Sequence, residues 1–149
     1  MKAIISAARS RGVRVILVKQ PMTSRFNEIQ VGYSRSYEEE YRQMLNKLNE
    51  TGELSPVEFQ LLAHHSVVTG LEALAKEENL EILDNVALVD RNRRLMASYV
   101  HLTAEGNLVL ARALKEAIAR HLPTPAQTVP AGYDDQHVQA GASGSAAKR

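Results

Sequence analysis

The chain has no cysteine, so disulfides, thiolate metal sites and cysteine nucleophiles are excluded. It has no tryptophan either, and phenylalanine and tyrosine together make up only 5% of its 149 residues. Charge of one sign is also lacking. The 18 basic and 17 acidic residues leave a formal net charge of +1, without the basic excess of a nucleic-acid binder. No apolar run approaches the roughly 18 residues of a membrane span. The stretch Ala3–Ile5 is shorter than the apolar core of about 7–15 residues in a secretion signal. These absences predict a cytoplasmic protein that neither binds nucleic acid nor spans a membrane. The 44% hydrophobic and 23% charged residues are usual for one globular domain.

Residues 123–149 hold three of the five prolines and three of the eight glycines. Their only sizeable apolar or aromatic residues are Val129, Tyr133 and Val138. Such a segment cannot bury enough surface to offset the entropy of ordering it, which predicts a disordered tail after a folded body at 1–122.

Within the body, residues 2–11 read as a helix stopped by Gly12. The run V-R-V-I-L-V at 13–18 reads as a strand buried on both faces, ended by Pro21. Residues 19–35 read as a loop, long for an ordinary connection and placed where open α/β sheets bind ligands. Ser36 and Glu39 form a capping box for a helix carrying Tyr37, Tyr41, Met44, Leu45 and Leu48 inward, with Gly52 just beyond it. Ser55 and Glu58 form a second box, with Pro56 at the first helical position. That helix runs to about Asn79 with Val57, Leu61, His65, Val68, Leu71 and Ala75 on one side. Leu80–Leu83 reads as a second strand, extendable through Val86–Val89. Residues 90–100 read as a loop. The last helix follows the cap Thr103, with Leu110, Leu114, Ala117 and Ile118 inward. This order is an α/β pattern, but two strands are too few for a parallel sheet, which suggests strands short of neighbours.

His101 stands on a loop two residues before the cap of a helix, where an imidazole is supported, partly exposed and able to move protons near neutral pH. The alternative is a histidine that only binds nearby backbone. The adjacent pair His64–His65 points about 100° apart on a helix and is read as no metal site. Arg91, Arg93 and Arg94 read as a solvated basic loop with an anion contact as the alternative. Glu38–Glu40 read as an acidic first turn rather than a metal cluster. Asn92 and Asn107 are read as caps for local backbone. No cofactor is expected.

The stretch V-H-L-T-A-E-G-N at 100–107, with the Ala-rich helix after it, resembles the last signature block of SGNH/GDSL-type esterases. R-S-R-G-V-R-V-I-L-V-K-Q-P at 9–21 and L-E-I-L-D at 80–84 are similar to the helix and strands that accompany that block. The resemblance covers residues 1–122 and the C-terminal half of such a fold. It implies a partial three-layer α/β/α, flavodoxin-like sandwich with a short parallel sheet. It also implies descent from a serine hydrolase of small-molecule carboxylic esters, with His101 as general base. Two departures follow. The acid expected three residues before the histidine is Ser98 here, leaving Asp84 or Asp90 to reach the imidazole from elsewhere. No Gly-Asp-Ser nucleophile block occurs in the sequence. The chain is therefore expected to be inactive alone, as from a truncated reading frame. The other open reading is a non-catalytic module that self-associates or pairs with a partner protein through exposed strand edges.

Overall fold

The structure, a computed structural model, describes residues 1–122. The expected disorder over 123–149 lies outside the described residues. Helix α1 (Lys2–Arg9) leads to strand β1 (Ile16–Lys19). The short helix α2 (Phe26–Ile29), α3 (Tyr37–Thr51) and the long α4 (Pro56–Glu77) precede strand β2 (Glu81–Asp84). Helix α5 (Asn85–Asp90), a 3-10 turn at Arg93–Leu95 and α6 (Ala104–Ala119) complete the chain.

The two strands pair in parallel, Ile16 opposite Glu81 and Lys19 opposite Asp84. The class is thus mixed α/β, predominantly helical, with a two-stranded parallel sheet. Because each strand has one strand neighbour, each leaves its outer edge without one among the described residues. No helix here is long and apolar enough to cross a membrane.

Several expectations need correction. The first strand starts at Ile16, not Val13. Gly12 takes the left-handed conformation (φ +70°), and the Val13 amide is spent on the Ala8 carbonyl, closing the end of α1. The strand is also not buried on both faces: Leu17 and Lys19 are buried, while Val18 between them is 37% exposed. The apolar run 86–89 is helix rather than strand. Asp84 caps it by accepting from the Ala87 amide at 2.9 Å, and Val86 and Val89, three residues apart, are buried together. The loop at 19–35 contains α2, and its Pro21–Thr23 stretch is buried. Leu45 and Ile118 are exposed, at the margins of apolar stripes narrower than the sequence suggests.

The main core gathers Met22, Tyr37, Met44, Leu61 and Val86 from four segments, with Leu54, Leu62 and Val100 packed around it. Helix α4 packs on both strands and α6 on β2. The Leu17/Lys19 side of β1 faces α4, since the Lys19 ammonium binds Glu72 on that helix.

Candidate functional site

His101 sits in a tight reversal. Met96 and Leu102 bridge in antiparallel fashion, and the His101 carbonyl accepts from the Ala97 amide at 2.7 Å. Helix α6 starts immediately behind, where the Thr103 hydroxyl accepts from the Gly106 amide at 3.0 Å. Gly106 is required by close approach: a Cβ there would lie 2.7 Å from the Leu95 carbonyl oxygen. That carbonyl in turn accepts from the Thr103 amide at 2.8 Å, so the helix start is clamped onto the 3-10 turn.

The imidazole is exposed and lines an open groove of about 420 Å³. Gln20 and Pro21 just beyond β1, and Asn85 just beyond β2, form one side. Val18, Leu102 and Leu110 provide apolar wall, and Asn107 adds an amide. The groove thus lies past the carboxyl ends of parallel strands, where open α/β sheets place ligands.

Ser98 lies 2.7 Å from His101, Oγ to Nδ1. Its hydroxyl oxygen already accepts from the His101 amide at 3.1 Å and the Val100 amide at 3.4 Å. With both lone pairs taken, the hydroxyl proton is the group left for the ring, and it donates to Nδ1. The neutral ring then carries its own proton on Nε2. A carboxylate at position 98 would impose the opposite tautomer, because it only accepts.

Among the described residues, neither Asp84 nor Asp90 is bonded to the His101 ring. Asp84 is bound to Lys19 at 2.5 Å and caps α5. Burial alone would lower the Lys19 pKa, but its bonds to Asp84 and Glu72 prevail and raise it. Asp90 accepts from the Tyr37 amide at 3.1 Å and from Arg93 at 2.7 Å. Among the described residues, Ser98 is the one hydrogen-bond partner of the His101 ring.

A buried ionic network that the sequence reading missed is tied to the turn that carries His101. Glu40 is fully buried on α3 and ion-paired with Arg93, itself 4% exposed. The same carboxylate accepts from the Thr23 hydroxyl and the Ser24 amide, both at 2.8 Å. The Thr23 amide donates to the Tyr99 carbonyl at 2.9 Å, tying this network to the turn that carries His101. Arg93 is therefore not part of a solvated loop. One signal was available: Tyr37, Glu40 and Met44 share a buried helix face, and an acid there demands a cation. Ser36 and Ser55 are helix caps, as expected, and Asn92 caps the 3-10 turn. Among the described residues the cap of α6 is Thr103, and Asn107 makes no side-chain cap bond.

Among the described residues no group of three or more His, Asp or Glu side chains is placed to hold a metal ion. His64 links Tyr37 to the strand end. Its Nε2 donates to the Gln20 carbonyl at 2.9 Å, which leaves Nδ1 to accept from the Tyr37 hydroxyl at 2.7 Å. Burial lowers the His64 pKa, with the Gln20 bond opposing it. His65 stacks on Tyr41 with ring centroids 3.6 Å apart.

Asn85 is the second missed residue. It is 2% exposed, lines the His101 groove, and its side-chain oxygen has no hydrogen-bond partner. Comparison of the chain with protein-family models, curated proteins and solved structures gives no match.

Proposed function

We propose that this chain is the histidine-bearing half of an SGNH/GDSL-type serine ester hydrolase and hydrolyses no ester by itself. In that arrangement it contributes two parallel strands and their helices to a three-layer, flavodoxin-like sandwich. A serine from a Gly-Asp-Ser segment, absent from these 149 residues, would attack the carbonyl of a small carboxylic ester. Once the ring proton has moved to Nδ1, the serine's proton would pass to His101 Nε2, the acyl-enzyme would form, and the leaving alkoxide would take the proton back. Water would then release the acid by the reverse relay. The reading is carried by one observation: an exposed imidazole on a groove at the carboxyl ends of parallel strands.

Two features account for the expected inactivity. No nucleophile-elbow serine is present, and the serine touching His101 meets Nδ1 while its oxygen is tied to backbone amides. The 149-residue chain should therefore turn over p-nitrophenyl acetate no faster than its His101→Ala variant. Mixed with the Gly-Asp-Ser-bearing half of an SGNH esterase, it should gain hydrolysis that His101→Ala abolishes. Rapid hydrolysis by the chain alone, lost on His101→Ala or Ser98→Ala, would overturn the reading, as would a complemented mixture indifferent to residue 101.

A second reading, an interaction module pairing through strand edges, is favoured by the strand edges left unpaired in the two-stranded sheet. Light scattering separates it from the first: a stable monomer across a wide concentration range removes it.

A further inference from the structure

We propose that the His64 imidazole is a proton-operated latch on the His101 groove: the neutral ring holds the end of β1 in the groove wall, and the protonated ring releases it. The two rings share no hydrogen bond, so the coupling runs through Gln20.

Gln20 and Pro21 line the groove together with Val100 and His101. From α4, His64 Nε2 donates to the Gln20 carbonyl at 2.9 Å. The Gln20 side-chain amide donates in turn to the Val100 carbonyl at 3.3 Å. Val100 precedes His101 in the turn and packs against the core that contains Tyr37. One imidazole thus holds the strand end, and the strand end forms one side of the groove.

The other ring nitrogen makes this contact switchable. Nδ1 accepts from the Tyr37 hydroxyl at 2.7 Å and is the one hydrogen-bond partner of that hydroxyl among the described residues. Tyr37 is 1% exposed. A proton on Nδ1 sets two donors face to face. If the hydroxyl turns to accept, its own proton is left without an acceptor in the core, the costly state of a buried polar group. The half-buried ring has the easier exit of swinging toward water, and that movement gives up the Gln20 carbonyl. Burial also opposes charge on the ring and holds it below the usual histidine range.

Neighbouring groups leave the imidazolium without support. From α3 the titratable group on the ring is Tyr37. On α4 it is His65, whose charge opposes a second one beside it. His65 itself stacks on Tyr41 and lies 3.5 Å from Glu38. From β1, Lys19 is bound to Glu72 and Asp84, and Gln20 brings only a carbonyl.

The test is a titration of the full chain from pH 8 to pH 5, followed by NMR of the imidazole and backbone amide signals. The amides of Gln20, Met22 and Val100 should move with the midpoint of His64, and should still do so in His101→Ala. In His64→Gln, whose carboxamide can make both bonds without titrating, these amides should keep their high-pH positions. Tyr37→Phe removes the donor into Nδ1, so His64 and the groove amides should titrate together at a pH higher by about 0.5–1. Groove amides that stay still while His64 titrates, or that follow His101 alone, would overturn the proposal. So would movement that persists in His64→Gln, or loss of all amide dispersion at the same midpoint, since that would be unfolding of the whole chain.

Discussion

Ser98 donates its hydroxyl proton to Nδ1 of His101 across 2.7 Å, and so fixes the ring with its own proton on Nε2. A general base that works through Nε2 needs that atom free. On the proposed esterase reading, serine where that family has an acid does more than remove a charge, because it favours the proton on Nε2. In the serine protease template, loss of the productive tautomer accompanies a fall of about 10⁴ in turnover. Ser98→Asp should move the ring proton to Nδ1, visible as exchange of the ring nitrogen shifts in NMR. In a mixture completed by a Gly-Asp-Ser half it should raise hydrolysis by up to about 10⁴. An unchanged tautomer in Ser98→Asp would show that the turn, not the hydroxyl, sets the proton.

The Glu40–Arg93 pair makes a different prediction, about stability. Both side chains are buried, so Glu40→Ala leaves a guanidinium with only Asp90 to answer it and frees the Thr23–Ser24 segment. Breaking a buried pair from one side costs about 3–5 kcal/mol. Urea unfolding of Glu40→Ala should show a loss of that order. The double variant Glu40→Ala, Arg93→Met should recover part of it, because the stranded charge is gone. Additive losses would mean the two groups are not coupled.

What was legible in the sequence and what was not divides by range. The boxes Ser36/Glu39 and Ser55/Glu58 close within three residues, and both form with their reciprocal bonds. The Thr103 cap is equally visible in a short pattern. The buried network is not, because Thr23, Glu40 and Arg93 are brought together across 17 and 53 residues, nor is the strand pairing, which joins Ile16 to Glu81. Helix α5 was misread because four apolar residues fit a strand as well as one helical turn, and only the Asp84 cap decides. The site followed the same rule: the His101–Ser98 contact spans three residues and was expected as a position. Asn85 depends on where β2 ends in space, and nothing local to it announces a groove.

Gly106 tests whether the His101 turn is set from behind. A methyl group there would press on the Leu95 carbonyl at 2.7 Å, which is backbone and cannot swing aside. Gly106→Ala should cost about 1–3 kcal/mol in urea unfolding, despite alanine's better helix propensity. It should also shift the amide resonances of Ser98 and His101, since the start of α6 and the turn share the Leu95 carbonyl. A neutral or stabilising outcome would mean that the helix start is free to move.

Acid should unfold the chain in two stages of distinct origin. Burial lowers the His64 pKa, so the native state holds this ring neutral while the unfolded chain protonates it more readily. A folded pKa below the unfolded value gives stability that is complete above the unfolded value near 6.5 and is lost as pH falls from there through the folded value. Protonation would also put a proton on Nδ1, the atom that accepts the Tyr37 hydroxyl. The second stage belongs to Glu58. Burial would raise its pKa, but Lys47 at 2.7 Å and the Ser55 amide at 2.8 Å outweigh it and lower the value to about 2. Its contribution, on the order of 1–3 kcal/mol, is present above the unfolded value near 4.3 and disappears as pH falls toward 2. Urea midpoints measured from pH 8 to pH 2 should fall in both windows. His64→Gln should flatten only the upper one and Glu58→Gln only the lower. A profile left unchanged by either substitution would place the acid sensitivity in other groups.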